Sequence, residues 1–268
     1  LRRLEQQLAS LPEVTSRRLV MDEFALYKGH RYATVVMDAE TRRVLWVGEG
    51  RSRAAIRPFF VGLGSERYAR IEAVAMDMNT AFDLEVTQHC PQARVVYDLF
   101  HVVAKYGREV IDRVRVDEAN RLRHDRPARR VIKQSRWLLL RNPENLKSDV
   151  QRISLDELLA ANQALATVYV MKAGLKALWS VGTGWEWRRA WKEWLAQAKE
   201  SGIESLARFA KRLSGYWRGI VSRVRWAMHT GQLEGINNRI KVMKRMAYGY
   251  RDSEYFFLKI KAAFPGNP

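Results

Sequence analysis

Acids at the ends of apolar runs, and one acid inside a basic helix, are the residues of this sequence best suited to chemistry on phosphates. Asp22 closes the run Leu19-Val20-Met21, and Asp77 closes Val74-Ala75-Met76. An α/β sheet presents its reactive groups at such strand ends. Glu234 lies in the stretch from Gly231 to Arg245, where Glu234, Asn238, Lys241 and Arg245 share one helical stripe and Ile236, Ile240, Met243 and Ala247 share another. One side is built to pack, and the other offers a carboxylate among cations. Five Lys or Arg follow Glu234 before the next acid, Asp252. The plain reading of a lone helical Glu is a surface ion pair of little energetic weight. A sharper reading needs partners. Mg²⁺ takes hard oxygen ligands, and two such ions about 4 Å apart can activate a nucleophile and stabilise a leaving oxygen. Asp22 and Asp77 converge if their strands are neighbours, and a helix packed on the sheet would add Glu234. Spacing alone leaves Glu23, Asp38, Asp83 and Asp98 as competing acids close to the same elements.

The elements that must position these acids are strands first and helices afterwards. Residues 18–24, 32–38 and 43–48 are short runs rich in β-branched and aromatic residues, joined by short links such as the Lys28-Gly29 turn signal, and they predict an antiparallel meander. Ser52 is placed to cap a helix through Ile56, Phe59, Phe60 and Leu63 that Gly64 ends. A strand at 71–76, a helix at 82–89 and a strand at 93–97 follow. Three strands, then helix, strand, helix, strand is the order of the ribonuclease H-like fold, and other α/β folds share pieces of it. After His101 nearly everything reads helical as far as Ala263, with breaks near Asn142-Pro143 and at Gly182-Thr183-Gly184. Trp187, Trp191 and Trp194 recur at helical spacing, which predicts a core stripe; rings stacking on unpaired bases are the sharper alternative. Residues 1–17 read as the tail of a helix marked by Leu1, Leu4 and Leu8, then a linker at Leu11-Pro12. Lacking an initiator Met, the chain is expected to begin within a longer protein.

Charge is unevenly spread. Residues 1–100 hold 14 basic and 13 acidic side chains, whereas residues 101–268 hold 33 and 16, so all but one unit of the formal charge of +18 belongs to the second part. Such an excess points to a polyanion partner. Membrane surfaces are the weaker rival, since neither a lipidation motif nor a basic terminal amphipathic helix is present. No apolar run reaches about 18 residues and no leader pattern occurs, which predicts a soluble intracellular protein. The single Cys90 excludes an internal disulfide, and with five scattered His it argues against a common structural zinc site.

Four motifs then occur in a fixed order: Met21-Asp22-Glu23-Phe24 with Lys28-Gly29; Met76-Asp77-Met78 with Ala81-Phe82; Asp98-Leu99-Phe100-His101-Val102; and Glu234-Gly235-Ile236-Asn237-Asn238-Arg239-Ile240-Lys241 with Arg245 and Ala247-Tyr248-Gly249-Tyr250. Together they resemble the ISL-three family of bacterial insertion-sequence transposases, from about residue 18 to about residue 262. The resemblance implies a DDE-type enzyme with a ribonuclease H-like core, in which Asp22, Asp77 and Glu234 are the catalytic, metal-binding triad for two Mg²⁺ ions that Mn²⁺ can replace. It further implies residues 18–104 as the first part of that core, 105–228 as an all-helical insertion and 229–268 as the closing catalytic helix and segment, with 1–17 a remnant helix and linker. Asp98 and His101 match an Asp-x-x-His signature, which gives them a supporting or DNA-positioning role alongside Asn237 and Asn238; the plainer reading of His101 is a helix cap. Lys241, Lys244, Arg245 and Arg251 are expected to grip phosphates. The implied partners are double-stranded DNA at the element ends and the target, with a homodimer pairing two ends, no membrane, and a cytoplasmic, nucleoid-associated location. The family's usual N-terminal zinc-binding and helix-turn-helix region has no counterpart before Arg18. A DNA-binding transposase remnant is therefore the main rival reading, and a nuclease acting on RNA–DNA hybrids is a third.

Overall fold

A computed structural model describes every residue of the chain except Leu1, Pro12, Val14, Lys28, His30 and Pro268. The Leu11-Pro12 break and the Lys28-Gly29 turn therefore lie partly outside the described residues, as does the first leucine of the N-terminal repeat. Two compact units form, one from Leu1–Asp98 together with Arg225–Pro268 and the other from Leu99–Val224.

The first unit runs α1 (Arg2–Ala9), β1 (Arg18–Tyr27), β2 (Arg31–Asp38), β3 (Val44–Glu49), α2 (Arg53–Leu63), α3 (Ser65–Tyr68), β4 (Ala73–Met76), α4 (Thr80–His89) and β5 (Arg94–Tyr97). One five-stranded sheet has the order β3-β2-β1-β4-β5. Short links make β1, β2 and β3 antiparallel, whereas the returns through helices make β1 parallel to β4 and β4 parallel to β5. β1 is central and covered on both faces, which explains why Leu19, Val20 and Met21 are all buried and no inside–outside alternation marks its start. The expected helix ends hold at α2: Ser52 Oγ accepts from the Ala55 N–H, and Gly64 closes the helix at φ +80°. Glu85 is buried beside α2, where Arg53 Nε (2.8 Å) and Arg57 Nη2 (2.9 Å) donate to it. These guanidinium bonds, Arg57 first, lower its carboxyl to about 2.

Nine helices make up the second unit: α5 (Leu99–Tyr106), α6 (Asp112–Arg121), α7 (Arg126–Gln134), α8 (Arg136–Leu140), α9 (Asp149–Ala161), α10 (Gln163–Ala177), α11 (Gly184–Glu200), α12 (Glu204–Ser214) and α13 (Trp217–Val221). Side chains of Asp125, Ser148, Asn162 and Thr183 cap α7, α9, α10 and α11, each accepting a first-turn N–H. A wide turn at Gly107–Ile111 joins α5 to α6. Trp187, Trp191 and Trp194 are interior, with ring centroids 5.2 and 6.1 Å apart, so the stripe is core and those rings are not available to bases. No helix among the described residues is long and apolar enough to cross a membrane.

Chain return to the sheet unit adds α14 (Gly231–Met246) and α15 (Ser253–Ala263). Leu233, Ile236 and Ile240 of α14, with Phe256 and Ile260 of α15, pack on the face that carries Val20, Phe24 and Val35. Ala247, expected on the packing stripe, is exposed because the helix ends at Met246 and the chain turns away.

Candidate functional site

The register of β1 and β4 decides where the first two acids stand. Val20 pairs with Ala75 in this parallel ladder. The paired ladder ends there; Asp22 lies two residues further along β1, and Asp77 directly follows the end of β4 at Met76, on strands that lie about 4.8 Å apart where they pair. Asp22, two residues after Val20 within β1, shares that residue's face, which α14 covers. Each carboxylate turns one oxygen back to its own chain: Glu23 N–H donates to Asp22 Oδ1 at 2.8 Å, and Met78 N–H donates to Asp77 Oδ1 at 2.6 Å.

Three long-range hydrogen bonds dock α14 over these strand ends. Asn237 Nδ2 donates to Asp22 Oδ2 at 2.8 Å, joining residues 215 positions apart. Thr230, the residue that opens α14, donates from both its N–H and its hydroxyl to Asp98 Oδ2, each at 2.6 Å and buried. Its hydroxyl is thereby used on β5's end, and Thr230 makes no side-chain cap within its own helix. Asp98 thus holds the start of the helix and Asn237 its second turn. Lys244 adds a third anchor by donating to the Leu26 carbonyl, with Nζ 5.5 Å from the Tyr27 ring centroid.

Glu234 sits one turn before Asn237 on the exposed side of α14, on the same stripe as exposed Asn238, Lys241 and Arg245. Lys241 Nζ donates to Asn238 Oδ1 at 3.3 Å. Arg251 is exposed just beyond the helix, whereas Lys244 is turned into the sheet and is a docking residue before it is a phosphate contact. Among the described residues no three His, Cys, Asp or Glu side chains gather closely enough to hold a metal ion. Asp22 lies on β1 and Asp77 follows its parallel neighbour β4, and Glu234 is carried by the docked helix without closing a three-acid cluster. His101 lies inside α5, so it is not the cap of that helix.

The competing acids are occupied by structural work. Glu23 takes Arg51 Nη1 at 2.9 Å. Asp38 accepts from the Glu40 and Thr41 N–H groups and the Thr41 hydroxyl in the β2–β3 turn. Asp83 accepts from the Tyr97 hydroxyl, and burial pushes its carboxyl above the ordinary range. Sequence reasoning had no access to the Thr230 clamp or to the Asn237 bond; the only local signal was an amide on the packing side of an otherwise apolar stripe.

A donor set of carboxylate oxygens suits a hard divalent cation. Asn237 Oδ1 adds to it: the residue is 5 % exposed, and this oxygen has no hydrogen-bond partner among the described residues while its Nδ2 holds Asp22.

Comparison with known proteins places this chain among the DDE transposases, since the profile of one such family, described as a transposase, matches residues 19–260. The chain belongs to that family, the ISL-three transposases. It is 63 % identical over 249 residues to the transposase for insertion sequence element IS1001 of Bordetella parapertussis, covering 93 % of this chain and 61 % of that protein. The transposase for insertion sequence element IS1557 of Mycobacterium tuberculosis is 30 % identical over 259 residues, covering 89 % of this chain and 58 % of that protein. The chain therefore spans about three-fifths of the length of the curated relatives it matches.

Proposed function

We propose that this chain is the catalytic part of a metal-dependent insertion-sequence transposase, cleaving DNA at the element's ends and transferring the 3′-hydroxyl ends to target DNA. The observation that carries this reading is the parallel pairing of β1, which bears Asp22, with β4, which leads into Asp77, beneath a helix that hydrogen-bonds Asp22 and bears Glu234. The sheet order, with three antiparallel strands followed by two parallel ones, supports a ribonuclease H-like core, and the segment between β5 and α14 is then a helical insertion.

In this reading Asp22, Asp77 and Glu234 hold two Mg²⁺ ions, or Mn²⁺ in their place. Bound there, the ions supply activation of water or of a 3′-hydroxyl and stabilisation of the leaving oxygen. The chain's own residues do the positioning. Asn237 fixes one oxygen of Asp22, and Asp98 fixes the start of α14 through Thr230, so the reach of Glu234 is set from two points. Asn238, Lys241, Arg245 and Arg251 line the exposed side, where phosphates would be drawn by charge. His101 remains a candidate for DNA positioning. Double-stranded DNA is the substrate, a homodimer would pair two ends, and the working location is the nucleoid.

The test is nicking and strand transfer on DNA carrying the element ends. Asp22→Asn, Asp77→Asn and Glu234→Gln are each expected to lower the product rate on the order of 10³-fold, and chelation should abolish it. Full activity in all three variants would sink the assignment. Tight, salt-sensitive DNA binding with no Mg²⁺-dependent product would instead favour a DNA-binding remnant.

A further inference from the structure

Helix α14 ends in a way that its local backbone chemistry does not favour. Tyr248 N–H bonds the Arg245 carbonyl (3.0 Å) and Gly249 N–H bonds the Lys244 carbonyl (2.9 Å), the pair of bonds that closes a helix with a left-handed residue. The left-handed residue here is Tyr248, at φ +52°, in the position where glycine is usual. Its side chain offers no packing in return, since it is fully exposed at 102 %. A bulky residue held in a disfavoured conformation with no contact to stabilise it points to use by something outside the fold.

The surroundings say what that is. Val242 and Met246 are exposed on the same arc of α14 as Lys241 and Arg245, so apolar surface alternates with cations. The turn is also held firmly: the Tyr27 hydroxyl donates to the Tyr250 carbonyl at 2.8 Å, and the Tyr250 ring stacks on Phe256 with centroids 4.2 Å apart. Tyr27 belongs to the strand that carries Asp22, and Phe256 belongs to α15, which packs on the same sheet. From Glu234 the exposed stripe runs through Lys241 and Arg245 to Tyr248, about 20 Å along the helix axis, or roughly six stacked base steps.

We infer that Tyr248 is a binding site for an unstacked nucleobase, a platform on which a base stacks after its strand has followed the Lys241 and Arg245 cations away from the acids. This rests on the reading that α14 faces DNA. Both ring faces are open to solvent, and stacking on an aromatic ring serves any base that has left its own stack.

The experiment compares Tyr248→Gly and Tyr248→Phe with the unchanged chain, using a labelled blunt duplex and the same duplex with a single-stranded 3′ extension of about six nucleotides. Tyr248→Gly is expected to melt no lower than the parent, because glycine suits the left-handed position and no buried contact is lost. It should nevertheless bind the extended duplex about 10-fold more weakly, with blunt-duplex binding changed less than twofold. Tyr248→Phe, which keeps the ring, should bind both like the parent. Parental affinity of Tyr248→Gly for the extended duplex overturns the proposal. So does an equal loss in Tyr248→Phe, which would assign the effect to the hydroxyl. If the parent yields no Mg²⁺-dependent product while Tyr248→Gly still loses the extended duplex selectively, the catalytic reading falls and this one stands; full cleavage with no selective loss gives the reverse.

Discussion

Buried polar side chains serve different ends in the two units. In the sheet unit Asp98 and Asn237 reach across 132 and 215 residues to hold one helix over the strand-end acids. In the helical unit several buried donors answer backbone carbonyls: Lys172 Nζ donates to Leu139 and Arg141 at 2.6 and 2.9 Å, the Tyr106 hydroxyl to Val168, and Trp194 Nε1 to Met171. Those bonds remove the cost of stranded carbonyls around an aromatic interior. Burial also lowers the Lys172 ammonium to about 8, as expected of a cation held away from water. Stability in the helical unit should therefore depend most on apolar volume. In the sheet unit the polar links should matter more for where Glu234 stands than for whether the unit folds.

That contrast can be broken by substitution. Trp187→Ala should have the largest effect on stability, about 3–5 kcal/mol in urea titration, because the ring is interior and a cavity would remain. A cost below 1 kcal/mol would mean that the aromatic stripe is not the interior's main support. Asp98→Ala leaves the Thr230 N–H and hydroxyl buried without an acceptor, which should cost about 1–3 kcal/mol. Its effect on cleavage should be larger in proportion, up to about 10²-fold if α14 shifts by an ångström. Activity falling only in step with the folded fraction would remove Asp98's positioning role.

The smallest effect concerns pH. Glu85 has its carboxyl lowered to about 2 from an ordinary 4.5, so the unfolded chain takes up its proton first as the solution is acidified. Its stabilisation is present above pH 4.5 and is lost as pH falls through about 2. Both guanidiniums that hold it are substantially exposed, which limits the loss to about 1 kcal/mol. Melting curves between pH 5 and pH 2 should fall less steeply for Glu85→Gln, and an unchanged slope would assign the acid sensitivity to other carboxylates.

Much of the fold was legible because local signals and tertiary needs agree. The three first strands, the Ser52 cap, the Gly64 stop, the break at Gly182-Thr183-Gly184 and the interior tryptophan stripe all follow from periodicity, breaker residues and capping chemistry. Agreement is poorer at the ends of α14. Lys244 reads as one more surface cation, yet it donates to the Leu26 carbonyl; Ala247 reads as a packing residue, yet the helix stops before it. Neither outcome is written in a window of neighbouring residues, because each depends on a strand more than two hundred positions earlier or on how the following turn is anchored.

By itself the sequence determined which residue types were available for chemistry, the order of the elements and the face of α14 that would meet solvent, since these follow from hydrophobic period and charge. Only the tertiary structure decided which acids stand together. Parallel pairing made β1, which carries Asp22, the neighbour of β4, which leads into Asp77, and hydrogen bonds from Asn237 and Thr230 fixed the helix on that sheet. Register and docking are properties of strands and helices already assembled, where a shift of one residue turns every side chain to the opposite face.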